Sequence, residues 1–82
     1  MFYVYVLYSV TLDKYYLGQT NDLRKRLDAH KTGKSRFTSQ IGDWNLAYYE
    51  AYTSRKLAMN RERKLKLHSR GYQELLKRII EK

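Results

Sequence analysis

The chain has no cysteine and no proline, and acids are scarce: eight Asp and Glu stand against seventeen Lys and Arg in 82 residues. Without cysteine there is no disulfide framework and no cysteine-rich zinc site, which fits a reducing compartment and leads us to expect a cytoplasmic protein. Without proline no stretch is marked as a stiff linker, and neither repeats nor low-complexity tracts divide the sequence. The apolar run from Phe2 to Tyr8 is too short to span a membrane and has no basic segment before it, so it reads as neither anchor nor signal peptide. The length predicts one small domain, residues 1–82, burying about 60–65% of the surface its unfolded chain exposes.

The shortage of acid leaves a net charge of +9. Residues 1–13 carry only Asp13, whereas Arg24 to Arg36 holds six basic residues against Asp28, and Arg55 to Arg70 holds seven against Glu62. Any single lysine or arginine fits an ordinary solvated face. Clusters of them favour a polyanion through phosphate contacts and counterion release, so nucleic acid is the expected partner and a membrane is not.

Tyrosine and valine crowd Phe2 to Ser9, and Lys14 to Gly18 continues the same chemistry after a polar break at Thr11 and Asp13, which predicts a β-hairpin. A turn centred near Thr11 would set Tyr5 opposite or nearly opposite Tyr16, with both rings on one face. Thr20 or Asn21 can cap a first helix and Gly33 can end it. Lys34 to Asp43 is polar and irregular, with Gly42 as a break, and Asn45 to Tyr52 reads as a third strand. Ser54 caps a second helix running to about Leu67. A last helix, about 69–81, carries Leu75, Leu76, Ile79 and Ile80 as a packing stripe. The expected fold class is α+β: a small three-stranded antiparallel sheet packed with helices in the order ββαβαα.

The segment from Lys14 to His30 concentrates the chemistry. With Leu23 at zero and about 100° per residue, Leu27 falls near 40°, His30 near 340° and Arg26 near 300°, so both cations border the apolar stripe. Glu62, the acid of an otherwise basic helix, shares an edge with Ala58 and Leu65. Two tyrosines, an arginine, a histidine and a glutamate supply the parts for metal-assisted attack on a phosphodiester.

Tyr3-Val4-Tyr5, Tyr16-Leu17-Gly18, Arg26 eight residues after Gly18, and Ala58-Met59-Asn60-Arg61-Glu62 after the third strand occur in the order of a GIY-YIG nuclease domain. The chain resembles the small stand-alone bacterial members of that family, related to the nuclease domains of excision-repair and homing endonucleases, over a core of about residues 3–66. The resemblance implies the same fold and a catalytic set of Tyr5, Tyr16, Arg26, His30 and Glu62, with Glu62 as ligand to one Mg²⁺ or Mn²⁺ ion. One of the tyrosines would help to activate the attacking water. A phenol with a pKa of about 10 is a poor base at neutral pH, and the expectation is that Arg26 and the ion favour the phenolate. Arg26 can fork onto a phosphate, and His30 can relay a proton or hold the water.

Gly18 lets backbone approach substrate or helix closely. Gln19, Thr20 and Thr38 are candidate polar contacts, and Arg24, Lys25, Arg63 and Lys66 candidate phosphate contacts. The competing reading of Glu62 is an ion pair to Arg26 or to a nearby lysine. Tyr3, Tyr8, Tyr15, Tyr48 and Tyr52 are expected simply to pack their rings.

Two departures from the family pattern stand out. Tyr3 replaces the first glycine, and no asparagine follows Glu62, where several larger members use one. Relatives also gain target choice from an added DNA-binding domain for which 82 residues leave no room, so specificity is expected from nucleic-acid shape or a protein partner. The leading expectation is a Mg²⁺-dependent endonuclease that hydrolyses DNA phosphodiesters, on branched, damaged or single-stranded substrates and in a repair setting. The alternative is a catalytically weak DNA- or RNA-binding module of the same fold, and a more distant one is a basic ribosome-associated protein. DNA is preferred to RNA.

Overall fold

Alternating apolar and aromatic positions produce three strands, and apolar positions at helical spacing produce three helices. In a computed structural model, which describes residues 1–31 and 44–80, these are β1 (Phe2–Ser9), β2 (Lys14–Thr20), α1 (Leu23–Lys31), β3 (Trp44–Tyr52), α2 (Arg55–Leu67) and α3 (Ser69–Ile80). The sheet is antiparallel with β1 in the middle, in the order β2-β1-β3. This is the expected α+β fold with the expected order of elements.

The first turn is one place where the sequence reading was slightly displaced. Ser9 pairs with Lys14, so the turn centres between Thr11 and Leu12, half a residue beyond Thr11. The Ser9 hydroxyl accepts the Leu12 N–H at 3.2 Å. Asp13 takes a positive φ of 50° and accepts the Tyr8 hydroxyl at 2.8 Å, a backbone region that aspartate tolerates better than most residues. As a result Tyr5 faces Gly18, and Tyr16 faces Leu7. The two tyrosines lie diagonally, still on one face because the offset is an even number of residues.

Alternation along β1 divides the core. Val4 and Val6 point with Leu17 toward Ala58, Leu65 and Leu75 of α2 and α3. Tyr5 and Leu7 point with Trp44 to the other face, where Tyr16 and the α1 residues Leu23 and Leu27 pack. One helix therefore covers one face and two cover the other.

The α1 cap is Asp22 and not Thr20 or Asn21: its carboxylate accepts the Lys25 N–H at 3.0 Å. Thr20 sits one step back, its hydroxyl accepting the Asp22 N–H at 3.1 Å. With its hydroxyl committed to the Asp22 N–H, Thr20 leaves the cap to Asp22, two residues further on. Ser54 caps α2 as expected, accepting the Leu57 N–H at 3.1 Å. In α3, Leu75 is fully buried, with Leu76 and Ile79 packed around the same cluster. Gly33, Thr38, Gly42 and the polar segment that contains them lie outside the described residues.

Candidate active site

The site is assembled on the α1 face. Strand alternation aims Tyr5 at this face, directly across from Gly18, and a Cβ on Gly18 would stand 2.5 Å from the Tyr5 hydroxyl oxygen and 2.6 Å from its ring carbon Cζ. The glycine is thus there to let the Tyr5 ring pass over β2. Gly18 is itself buried, which replaces the expected backbone approach to substrate with a packing reason. Laid across the strand, Tyr5 reaches α1, and its Oη lies 3.2 Å from His30 Nε2.

This pair is deep: Tyr5 is 2% exposed and His30 is 0% exposed. Tyr16 is the outer member of the cluster, half-buried, its ring 4.8 Å from His30 and 6.3 Å from Tyr5 between centroids. Burial, the nearby Tyr16 and the Glu62 charge push the Tyr5 phenol well above its ordinary pKa, and Arg26 opposes them without prevailing. Arg26 thus pulls the Tyr5 phenol toward its phenolate as expected, but desolvation in the core outweighs that one exposed cation. Burial first, and Arg26 second, lower the His30 pKa, so the imidazole is neutral at neutral pH. With Nε2 as the unprotonated nitrogen, the Tyr5 hydroxyl donates to it.

Arg26 and His30 flank the same stripe on α1 but meet different surroundings. His30 is sealed into the core, whereas Arg26 is exposed and, with Thr20, Asn21, Asp22, Lys25 and Ala29, lines a cavity of about 320 Å³. The guanidinium still acts electrostatically on both Tyr5 and His30. Arg24 and Lys25 are exposed in the first turn of the same helix, where phosphates can reach them. Gln19 projects to the other face, since it alternates with Gly18 and Thr20, and is not brought to Tyr5 and Tyr16. Thr20 borders the cavity, but its hydroxyl is engaged with the Asp22 backbone.

Glu62 comes from α2, with its side chain 23% exposed and an ion pair to Lys66 Nζ at 3.1 Å. The lysine partner is the competing reading raised from sequence, and Arg26 is not that partner. Even so, Glu62 is near enough to raise the Tyr5 pKa. Arg63 and Lys66 are exposed on the same helix. Among the described residues no three His, Asp or Glu side chains gather as in a closed metal cage. A single carboxylate is nonetheless a sufficient protein anchor for Mg²⁺, which keeps waters and takes substrate phosphate oxygens for the rest. Glu62, half-buried and, among the described residues, ion-paired to the exposed Lys66, fits that requirement.

A second cluster lies on the opposite face, and sequence reading missed it. Glu50 accepts the Tyr48 and Tyr52 hydroxyls, each at 2.6 Å, and both arms of Arg61, Nε at 2.9 Å and NH2 at 3.0 Å. Burial alone would raise the Glu50 pKa, but these donors win and hold it at about 2. Burial and the same carboxylate push Tyr52 up to about 12. Tyr48 and Tyr52 are thus more than packed rings. The signal was present as alternation, for Tyr48, Glu50 and Tyr52 are two apart and share one face.

The element order and the tyrosine–histidine cluster on β1, β2 and α1 define a domain of the GIY-YIG type, a family of endonucleases. The family model described as GIY-YIG catalytic domain matches residues 1–74, and the chain belongs to that family. Within it, the chain is similar to the UPF0213 proteins, a designation that states no activity. One from Streptococcus pyogenes serotype M3 is 40% identical over 75 residues, 89% of this chain and 79% of the relative. One from Bacillus pumilus is 36% identical over 61 residues, 73% of this chain and 62% of the relative. The solution NMR structure of a UPF0213 protein from Bacillus halodurans superposes with a TM-score of 0.55 at 33% identity, covering 93% of this chain and 82% of that one.

Proposed function

We propose that the protein is a divalent-metal-dependent endonuclease that hydrolyses DNA phosphodiesters in the cytoplasm, with a partner protein or the shape of the nucleic acid supplying its targeting. The observation that carries this reading is the buried Tyr5–His30 hydrogen bond, with the half-exposed Tyr16 ring against His30 and the cavity-lining Arg26 acting electrostatically on both members of the pair.

Each residue has a distinct task. Arg26 grips the phosphate with two donors and opposes the charge that grows on its oxygens as water attacks. Tyr16, the accessible phenol, orients the attacking water. Tyr5 is too deeply buried to persist as a phenolate, so a proton leaving the attacking water reaches it by way of the accessible Tyr16 hydroxyl, and Tyr5 passes its own proton to His30 Nε2 as it takes that one. His30, kept neutral by burial, is the acceptor at the end of this relay. Because its pKa lies below the ordinary histidine value, the relay survives mild acid and fails only below that range. Glu62 would hold the ion, and a bound Mg²⁺ would neutralise phosphate charge and favour ionisation of water. Arg24, Lys25, Arg63 and Lys66 supply phosphate contacts outside the reacting centre.

The test is nicking of supercoiled plasmid with Mg²⁺, with Mn²⁺ and with chelator. Ion-dependent nicking by wild type that disappears in Glu62→Gln supports the assignment, and ion-independent nicking overturns it. A second reading, binding without cleavage, is favoured by one observation, the Glu62–Lys66 ion pair that occupies the proposed ligand. Tight DNA binding with no nicking under any ion would select it.

A further inference from the structure

At the outer edge of β2, Tyr15, Tyr16, Leu17, Lys66 and Tyr72 line an open cleft of about 450 Å³. That volume falls within the range of about 300–1,000 Å³ typical of small-ligand sites. We propose that this cleft is a nucleotide subsite that takes one unpaired base of a nucleic-acid strand, next to the phosphate held at the catalytic cluster. Its placement beside the scissile phosphate rests on the nuclease reading above.

Four features point to a base. First, the lining is mainly aromatic, and every nucleobase offers a π-face that stacks on such rings without regard to sequence. Second, β2 is an outer strand of the sheet, and Tyr15 and Tyr16, as consecutive strand residues, project to opposite faces. The cleft therefore wraps the sheet edge, a shape suited to a planar ring entering edgewise. Third, the cleft shares Tyr16 with the catalytic cluster, and its Lys66 is the residue bound to Glu62 at 3.1 Å. A base seated here is thus one short step from the reacting centre. Fourth, Lys66 gives the aromatic walls a cationic rim, complementary to the phosphate that accompanies any base.

Bases inside a duplex are stacked on both sides and cannot present a face without being extruded, which costs binding energy. The ligand is therefore an overhang, flap or single strand. Tyr72 is the residue that tests the idea, because it lines the cleft from α3 and has no part in the catalytic set.

The experiment measures binding of the intact protein, with chelator present so that nothing is cut, to a blunt DNA duplex and to the same duplex bearing a short overhang. Wild type is expected to bind the overhang duplex at least about fivefold more tightly, the lower end of what one stacked base provides. Tyr72→Leu, which keeps an apolar side chain against the core, should lose that preference while keeping its affinity for blunt duplex. Tyr72→Phe should retain it. Equal affinity of wild type for the two duplexes, or a preference that survives Tyr72→Leu, overturns the proposal. Should Tyr72→Leu fail to fold by circular dichroism, photocrosslinking from a 5-iodouracil in the overhang of wild type decides: attachment at Tyr15, Tyr16 or Tyr72 supports the subsite, and attachment elsewhere overturns it. Cleavage is scored separately with Mg²⁺. Overhang preference without cleavage retires the endonuclease and leaves the subsite, whereas cleavage without overhang preference retires the subsite alone.

Discussion

The two faces of the sheet use the same residue types to opposite ends. On the α2 side, two tyrosines and an arginine all donate to Glu50, and every short contact converges on one satisfied carboxylate. On the α1 side, two tyrosines and an arginine act on a buried neutral histidine, and the carboxylate that influences Tyr5, Glu62, is ion-paired with the exposed Lys66. The first arrangement minimises the energy of charges already present and fastens α2 to β3. The second keeps groups neutral, and so leaves them able to receive charge from something outside the protein. A charged carboxylate whose donors all come from the fold is a structural device, whereas a cluster of buried neutral groups within the field of an exposed arginine is a candidate for chemistry.

The largest expected effect breaks that contrast on its reactive side. Glu62→Gln should abolish ion-dependent cleavage and leave DNA affinity nearly unchanged, and Tyr16→Phe should cost about 10² to 10⁴ in rate, the range for a group that handles a proton in the transition state. Both are measured as single-turnover cleavage of labelled DNA. Wild-type rates in both would reduce this face to packing.

Next comes the structural side. The Glu50 carboxyl is held at about 2 against 4.5 when free, so the unfolded chain binds its proton more readily than the folded one. Its contribution, about 3 kcal/mol at most by that difference, is therefore full above about pH 4.5 and is lost as pH falls toward 2. Urea denaturation should show Glu50→Gln destabilised at neutral pH, with the gap from wild type closing in acid. Cleavage per folded molecule should be unchanged. A rate that collapses while the fold survives would show that the two faces are coupled through α2, where Arg61 and Glu62 are neighbours.

Arg26→Lys keeps the charge and removes the fork. Near-normal affinity with cleavage at least about tenfold slower is expected, because the second donor matters most when charge builds on the phosphate. Intact rate with weakened affinity would instead make Arg26 a ground-state anchor. The smallest effect concerns charges far from either cluster. Replacing Arg24 and Lys25 together by alanine should lower the salt dependence of DNA binding by about one unit or less per lost phosphate contact, for any DNA sequence. A salt-independent affinity of wild type would remove the electrostatic account.

The candidate catalytic residues could be picked out in the sequence because they form an ordered motif, and three of them lie on two elements linked by a short turn. The strand and helix spans were legible for a related reason: alternation and helical spacing are local properties, as in Phe2 to Ser9 and in the Leu75, Leu76, Ile79 stripe of α3. What composition and spacing settled was therefore the α+β class, the element order and the basic clusters, while the candidate residues came from the resemblance to the family. The chain fold alone decided how those residues stand. The exact centre of one turn put Gly18 under the Tyr5 ring and left Tyr16 two residues away along β2. Desolvation, which depends on every neighbour at once, made Tyr5 a stubborn acid and His30 a neutral acceptor although both border an exposed arginine. The Glu50 clamp joins residues eleven positions apart through hydroxyls that local pattern treats as mere rings. Local periodicity carries information along the chain, whereas burial, pKa and convergence are set across it, by contacts that exist only once sheet and helices have closed.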